Sequence, residues 1–71
     1  MGEEIKIPEP AITIIEIRAK HKLSQKEFAE SIGVSPQTVV AWEKDIYTIK
    51  PRNLQKIWLK YGVTSIELLG V

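Results

Sequence analysis

The apolar residues near the start of the chain recur at helical spacing across residues 11–22, where neither glycine nor proline interrupts them. Ile14, Ile17 and His21 follow an i, i+3, i+7 pattern, and Ile15 widens the apolar stripe. The β-branched isoleucines favour a strand on propensity alone. Because the spacing of the apolar residues is helical, we predict a first helix over residues 11–22.

Residues 1–10 lack this spacing and contain two prolines. Proline restricts the residue before it to extended conformations, so this segment is predicted to be an N-terminal arm that enters the first helix. Ile5 and Ile7 alternate with a lysine, as in a short strand. We therefore expect the arm to lie against the domain, which is predicted to span residues 11–71.

The second helix is marked at both ends by residues with a defined role. Ser24 and Glu27 have the spacing of a capping box, in which each side chain accepts a hydrogen bond from the backbone amide of the other residue. Gly33 supplies the left-handed position that ends a helix. The predicted inner face of this helix consists of Phe28, Ala29 and Ile32.

A third helix is predicted directly after a tight turn. Ser35 is its expected N-cap and Pro36 its first residue, because proline lacks the amide hydrogen that the first turn leaves unpaired. The helix is predicted over residues 36–44, with Val39 and Trp42 facing inward.

Two further helices follow a stretch without a clear period. Pro51 opens the fourth helix and Gly62 closes it. Thr64 and Glu67 form a second capping box, which opens a short fifth helix. In the fourth helix Leu54, Ile57, Trp58 and Tyr61 form an apolar stripe, of which Trp58 and Tyr61 are expected to be core or dimer residues. In the fifth helix Ile66 and Leu69 are predicted to face inward.

Composition narrows the class of protein. A chain of 71 residues, with 44% hydrophobic and 27% charged residues, suits one small globular domain. It has no cysteine, which excludes disulfides and thiolate chemistry. No phosphate-binding glycine loop, catalytic triad or carboxylate pair is recognisable, so we expect neither an enzyme nor a metal or cofactor site. The acidic N-terminus does not fit a secretory signal, and a cytoplasmic protein is expected.

Over residues 24–44, two short capped helices flank a tight turn, which is the spacing of a helix-turn-helix. Here the chain resembles the phage repressor and Cro family, and the resemblance extends over about residues 14–69. It implies a compact all-α domain of five helices, in which Ala29, Gly33 and Val39 fix the crossing of the second and third helices. The residues that carry the resemblance are Leu23, Ser24, Gln25, Phe28, Ala29, Gly33, Val34, Ser35, Val39, Trp42 and Glu43.

The resemblance also implies roles for individual side chains in a sequence-specific transcriptional regulator of a phage-type genetic switch. Arg18 and Glu43 are expected to form a structural ion pair between the first helix and the end of the third. The third helix would enter the major groove of a double-stranded operator, with Gln37 as base reader and Gln25 as phosphate contact. Further expected contacts are Ser35, Pro36, Thr38, Val40, Ala41, Lys44, Lys50, Arg52 and Asn53.

The exposed face expected for the third helix leaves a second function open. Pro36, Val40 and Ala41 make this face more apolar than a phosphate-dominated interface requires, and the net charge is only +1. An apolar patch also suits a protein partner, so the alternative is an antirepressor that binds a cognate repressor and blocks its DNA binding. An antitoxin is a lesser alternative.

A weak homodimer also stays open, with candidate interface residues Ile12, Ile15, Val63, Ile66, Leu69 and Val71.

Overall fold

The structure is a computed structural model that describes residues 10–70. All regular structure in this range is helical, which confirms the predicted all-α fold of five helices. The expected arm lies outside the described residues except for Pro10. In chain order the elements are α1 (Ile14–His21), α2 (Gln25–Ile32), α3 (Pro36–Lys44), a short 3-10 helix (Ile46–Thr48), α4 (Pro51–Tyr61) and α5 (Ser65–Leu69).

Helix α1 begins later than the spacing of its apolar residues predicts. Thr13 is the N-cap, and its hydroxyl oxygen accepts a hydrogen bond of 3.1 Å from the amide of Glu16. The backbone amides of Ala11 and Ile12 instead donate to the carbonyl of Glu67 in α5. The prediction of helix from residue 11 was therefore wrong, because a capping hydroxyl and a contact with α5 hold this stretch in a non-helical conformation.

The two ends of α2 and the start of α3 agree with the predictions. Ser24 and Glu27 form the capping box, with distances of 3.0 Å and 2.9 Å for its two hydrogen bonds. Gly33 follows α2 with a φ of 82°, in the left-handed region where glycine meets no steric penalty. Ser35 caps α3 by accepting a hydrogen bond from the amide of Thr38. Capping and turn residues thus determine where the helix-turn-helix bends.

A single apolar core joins α1, α2 and α3 to the C-terminal helices. Its centre contains side chains that are fully enclosed, and each contributes roughly 1.5–3 kcal/mol by its removal from water. Tyr61 packs at the edge of the core, with its ring stacked on Phe28 and its hydroxyl hydrogen-bonded to that of Ser31. The buried residues are Ile14, Ile17, Phe28, Ala29, Ile32, Val39, Trp42, Ile49, Ile57, Val63 and Leu68.

Some residues that were predicted to face inward lie at the surface. Ile66 is 66% exposed, and Leu68 takes the buried position of α5 in its place. Trp58 is more than half exposed, although Ile57 beside it is fully buried. Ile15 is exposed too, so the apolar face of α1 is narrower than predicted. The inward assignment of Ile66 was wrong because α5 has only five residues, so its spacing does not indicate which side is buried. The buried sides of α1 and α4 are narrower than their apolar stripes, because packing on the neighbouring helices decides which residues of a stripe are enclosed.

Candidate nucleic-acid interface

The solvent-facing side of α3 presents one stripe of residues at helical spacing. Gln37, Ala41 and Lys44 are exposed, and Val40 beside them is half-buried. They recur at i, i+3, i+4 and i+7, which places them on one side of a helix. The opposite side of α3 is buried in the core, so this stripe has a fixed direction relative to the rest of the domain. Below we call Gln37, Val40, Ala41 and Lys44 the free face of α3.

Two hydroxyl groups lie at the N-terminal end of α3. The hydroxyl oxygens of Ser35 and Thr38 are 2.9 Å apart and share one hydrogen bond. Only one of their two hydroxyl hydrogens is used in that bond, and the other is available to an acceptor such as a phosphate oxygen. Pro36 between them is exposed. The start of α3 therefore presents the hydroxyl groups of Ser35 and Thr38 beside the apolar ring of Pro36.

A hydrogen-bond network fixes the far end of α3. The guanidinium of Arg18 donates to both carboxylate oxygens of Glu43, at 2.7 Å and 3.2 Å. Arg18 also donates to the carbonyl of Leu23, and the side-chain amide of Gln25 donates to Glu43 at 2.8 Å. The side chains of Arg18 and Glu43 are 20% and 10% exposed. One carboxylate thus links α1, the start of α2 and the end of α3, which restricts the angle at which α2 and α3 cross.

The side chain of Gln25, which was expected to be free to contact phosphate, is partly engaged within the protein. Its side chain is half-buried, and one of its two amide hydrogens is used on Glu43. The second amide hydrogen has no acceptor in this network. Sequence reasoning missed the bond to Glu43 because the two residues are 18 positions apart and meet only when α2 and α3 cross.

The start of α4 lies beside the start of α3 and supplies positive charge. A surface depression lined in part by Ser35, Thr38, Lys50 and Asn53 connects the two helix starts. Lys50 is the N-cap of α4, and its side chain makes no capping hydrogen bond. Lys50 and Arg52 are exposed, so both can meet an anion. Four of the expected contact residues, two at each helix start, are therefore brought together.

Charge is distributed unevenly along the chain. Three of its nine acidic residues lie in residues 1–9, whereas nine of its ten basic residues lie in residues 10–70. Residues 46–66 contain four basic residues and no acidic one. The net charge of +1 therefore understates the positive character of α4 and its flanks. The basic residues of this stretch are Lys50, Arg52, Lys56 and Lys60.

Across residues 10–70, no three His, Asp or Glu side chains come close enough together to hold a metal ion. In the same range, no helix has the length and apolar character needed to cross a membrane.

Comparisons with known proteins agree with this arrangement. The family model described as Helix-turn-helix matches residues 14–68. Over 57 residues the chain is 35% identical to the cryptic phage CTXphi transcriptional repressor RstR of Vibrio cholerae. The aligned residues make up 80% of this chain and 51% of that protein. The chain thus spans about half the length of this curated relative, and no solved structure matches significantly. The chain belongs to the helix-turn-helix family, which is a family of DNA-binding regulators and not of enzymes.

Proposed function

We propose that this protein is a sequence-specific transcriptional regulator of a phage-type genetic switch, with α3 as its recognition helix. The observation that carries the proposal is the free face of α3, which the buried face and the Glu43 network hold in one direction beside the basic start of α4. A rigid, exposed helix next to positive charge suits the major groove of DNA. The relative is a phage transcriptional repressor, which supports the same function.

In the proposed complex, the N-terminal half of α3 meets base edges and its surroundings meet the sugar-phosphate backbone. Gln37 reads a base, because a side-chain amide can pair bidentately with adenine N6 and N7. Gln25 donates its remaining amide hydrogen to a phosphate oxygen, which is the role that its position at the start of α2 also favours. The other proposed backbone contacts are Ser35, Thr38, Lys44, Lys50, Arg52 and Asn53.

We extend the proposal to a homodimer on a palindromic operator. A helix-turn-helix dimer reads two half-sites about 34 Å apart, one turn of DNA. Trp58, Leu59 and Ile66 are large apolar side chains that α4 and α5 expose, and a second copy would cover them. Of the residues that the sequence offered for such an interface, Ile15 and Ile66 are exposed, whereas Val63 is buried. Sedimentation of the wild type and of Ile66→Asp tests this part of the proposal.

An antirepressor has no comparable support. The apolar residues of the free face suit either kind of partner, but the relative is itself a repressor. Binding to double-stranded DNA is therefore the function that the exposed face of α3 and the relative both favour.

The test begins with selection of binding sites from random duplexes, followed by affinity measurements on the selected site at several salt concentrations. Gln37→Ala should lower the affinity for that site by about 1–3 kcal/mol and relax the preference at one base pair. Lys44→Ala should weaken binding to all sequences alike and reduce the salt slope by about 1.

Lys20→Ala is the matched control, because Lys20 is an exposed cation of α1 beside Tyr61 and away from the free face. It should leave both the affinity and the base preference unchanged. Failure to select any sequence at low salt would contradict the proposed function.

A further inference from the structure

The chemistry of the free face restricts the DNA sequences that it can recognise. Among the residues that the structure describes, this face and Pro36 beside it carry three apolar side chains, one amide and one cation. The apolar ones are Pro36, Val40 and Ala41, and all of them are at least partly exposed. The amide of Gln37 is therefore the one neutral hydrogen-bonding group on this surface.

The single cation of the free face lies at the wrong end to read bases. Lys44 is the last residue of α3, seven positions after Gln37 and so roughly 10 Å further along the axis. Recognition helices contact base edges mainly through their N-terminal residues. Arg and Lys are the side chains that pair with the O6 and N7 atoms of guanine, and the N-terminal half of α3 has neither.

What remains at the start and centre of the free face matches one kind of base pair. The apolar surface of Val40 and Ala41 suits the C5-methyl group of thymine, which is the one apolar group that a base edge presents in the major groove. Gln37 is suited to adenine. Both features belong to A·T pairs.

We infer that the protein recognises operator half-sites with A·T pairs under the centre of α3, and that contact between thymine methyl groups and Val40 and Ala41 discriminates these sites from others. This inference rests on the proposed function and names the class of DNA that it reads. The basic residues around Lys50 then provide affinity without choosing a sequence, because phosphate contacts carry no base information. The base preference is thus assigned to α3, whereas the phosphate contacts that give affinity come from α4 and its flank as well as from the two ends of α3.

The test replaces each thymine of the selected site, one at a time, by deoxyuridine, which lacks only the C5-methyl group. Removal of one methyl that is buried at the interface should lower the affinity of the wild-type protein about fourfold. Thymines in the flanking sequence are the matched control, and their replacement should change nothing.

A protein variant checks that the loss arises at α3. Ala41→Ser puts a hydroxyl on the exposed side of the helix, and the penalty for deoxyuridine should then fall below about twofold at the thymine that Ala41 contacts. Its unfolding by urea should match that of the wild type, because Ala41 is exposed.

The possible outcomes separate this inference from the proposed function. Specific binding that is insensitive to deoxyuridine at every position overturns the inference and leaves the proposed function standing. A selected half-site with G·C pairs at its centre overturns the inference in the same way. Absence of any specific DNA binding overturns both.

Discussion

The two long faces of α3 carry opposite kinds of residue. Val39 and Trp42 on one face are buried against α2 and the rest of the core. Gln37, Ala41 and Lys44 on the other face are exposed. The buried face sets where α3 sits, and the free face can change without loss of core contacts. We therefore expect substitutions on the two faces to affect different measured quantities: stability for one and recognition for the other.

The largest expected effect concerns the buried face. Trp42 is 4% exposed, so Trp42→Ala removes a large buried side chain and should lower the free energy of unfolding by about 3–5 kcal/mol. Trp58→Ala is the matched control, because Trp58 is 52% exposed in the protomer, and at protein concentrations too low for dimerisation it should cost about 1 kcal/mol or less. Urea titration of both variants makes the comparison. Equal losses for the two tryptophans would contradict the assignment of the core.

The next effect concerns the boundary between the faces, where Glu43 holds the end of α3. Glu43→Ala leaves the partly buried Arg18 without its carboxylate partner and should cost about 2–3 kcal/mol of unfolding free energy. Arg18→Met with Glu43→Ala should cost less than the sum of the single changes, because no unpaired charge remains. A double-mutant cycle measures this coupling. A coupling energy near zero would mean that the Arg18–Glu43 pair does not stabilise the position of the end of α3.

A smaller effect is expected at the N-cap that the two faces share. Ser35→Ala removes the acceptor for the amide of Thr38 and should lower stability by about 1 kcal/mol. Ser65→Ala is the matched control, because Ser65 is exposed at the first position of α5, where Thr64 provides the cap. Thermal unfolding of both variants distinguishes them. Equal melting temperatures would show that Ser35 does not stabilise the start of α3.

The smallest effect depends on pH. The pKa of the Glu27 carboxyl is lowered, first by the hydrogen bond from the backbone amide of Ser24 and then by the Ser24 side chain. Because the folded pKa lies below the ordinary value of 4.5, the carboxylate stabilises the fold above that pH. This contribution is lost as the pH falls through the folded pKa.

The stability difference between the wild type and Glu27→Gln should therefore shrink as the pH is lowered below 4.5. Glu30→Gln on the same helix serves as the control for a general charge effect. A difference between the wild type and Glu27→Gln that stays constant from neutral to acid pH would contradict the role of this capping box.

The sequence predicts some parts of this molecule better than others. The limits of α3 and both capping boxes follow from local chemistry, since serine, proline and glycine act on their immediate neighbours. The burial of Leu68 instead of Ile66 did not follow, because a helix of five residues is too short for its apolar spacing to indicate a direction. The burial of Ile49 was missed as well, since its loop has no period and only packing places that side chain in the core.

The candidate site shows the same limit. The free face of α3 follows from the positions of Val39 and Trp42, because burial of one side of a helix defines the other. The hydrogen bond between Gln25 and Glu43 depends on the crossing of two helices, and no local pattern signals it. The contacts that orient a recognition helix are thus harder to predict than the residues that it presents.

The most direct test of the separation between the two faces is Ala41→Glu, measured for stability and for DNA binding in the same preparation. A glutamate at this exposed helical position should change the free energy of unfolding by no more than about 0.5 kcal/mol. Its carboxylate would meet the negatively charged major groove, so affinity for the selected operator should fall at least about tenfold, which is about 1.4 kcal/mol. Unchanged operator affinity in a fully folded Ala41→Glu protein would contradict the assignment of α3 as the helix that reads DNA.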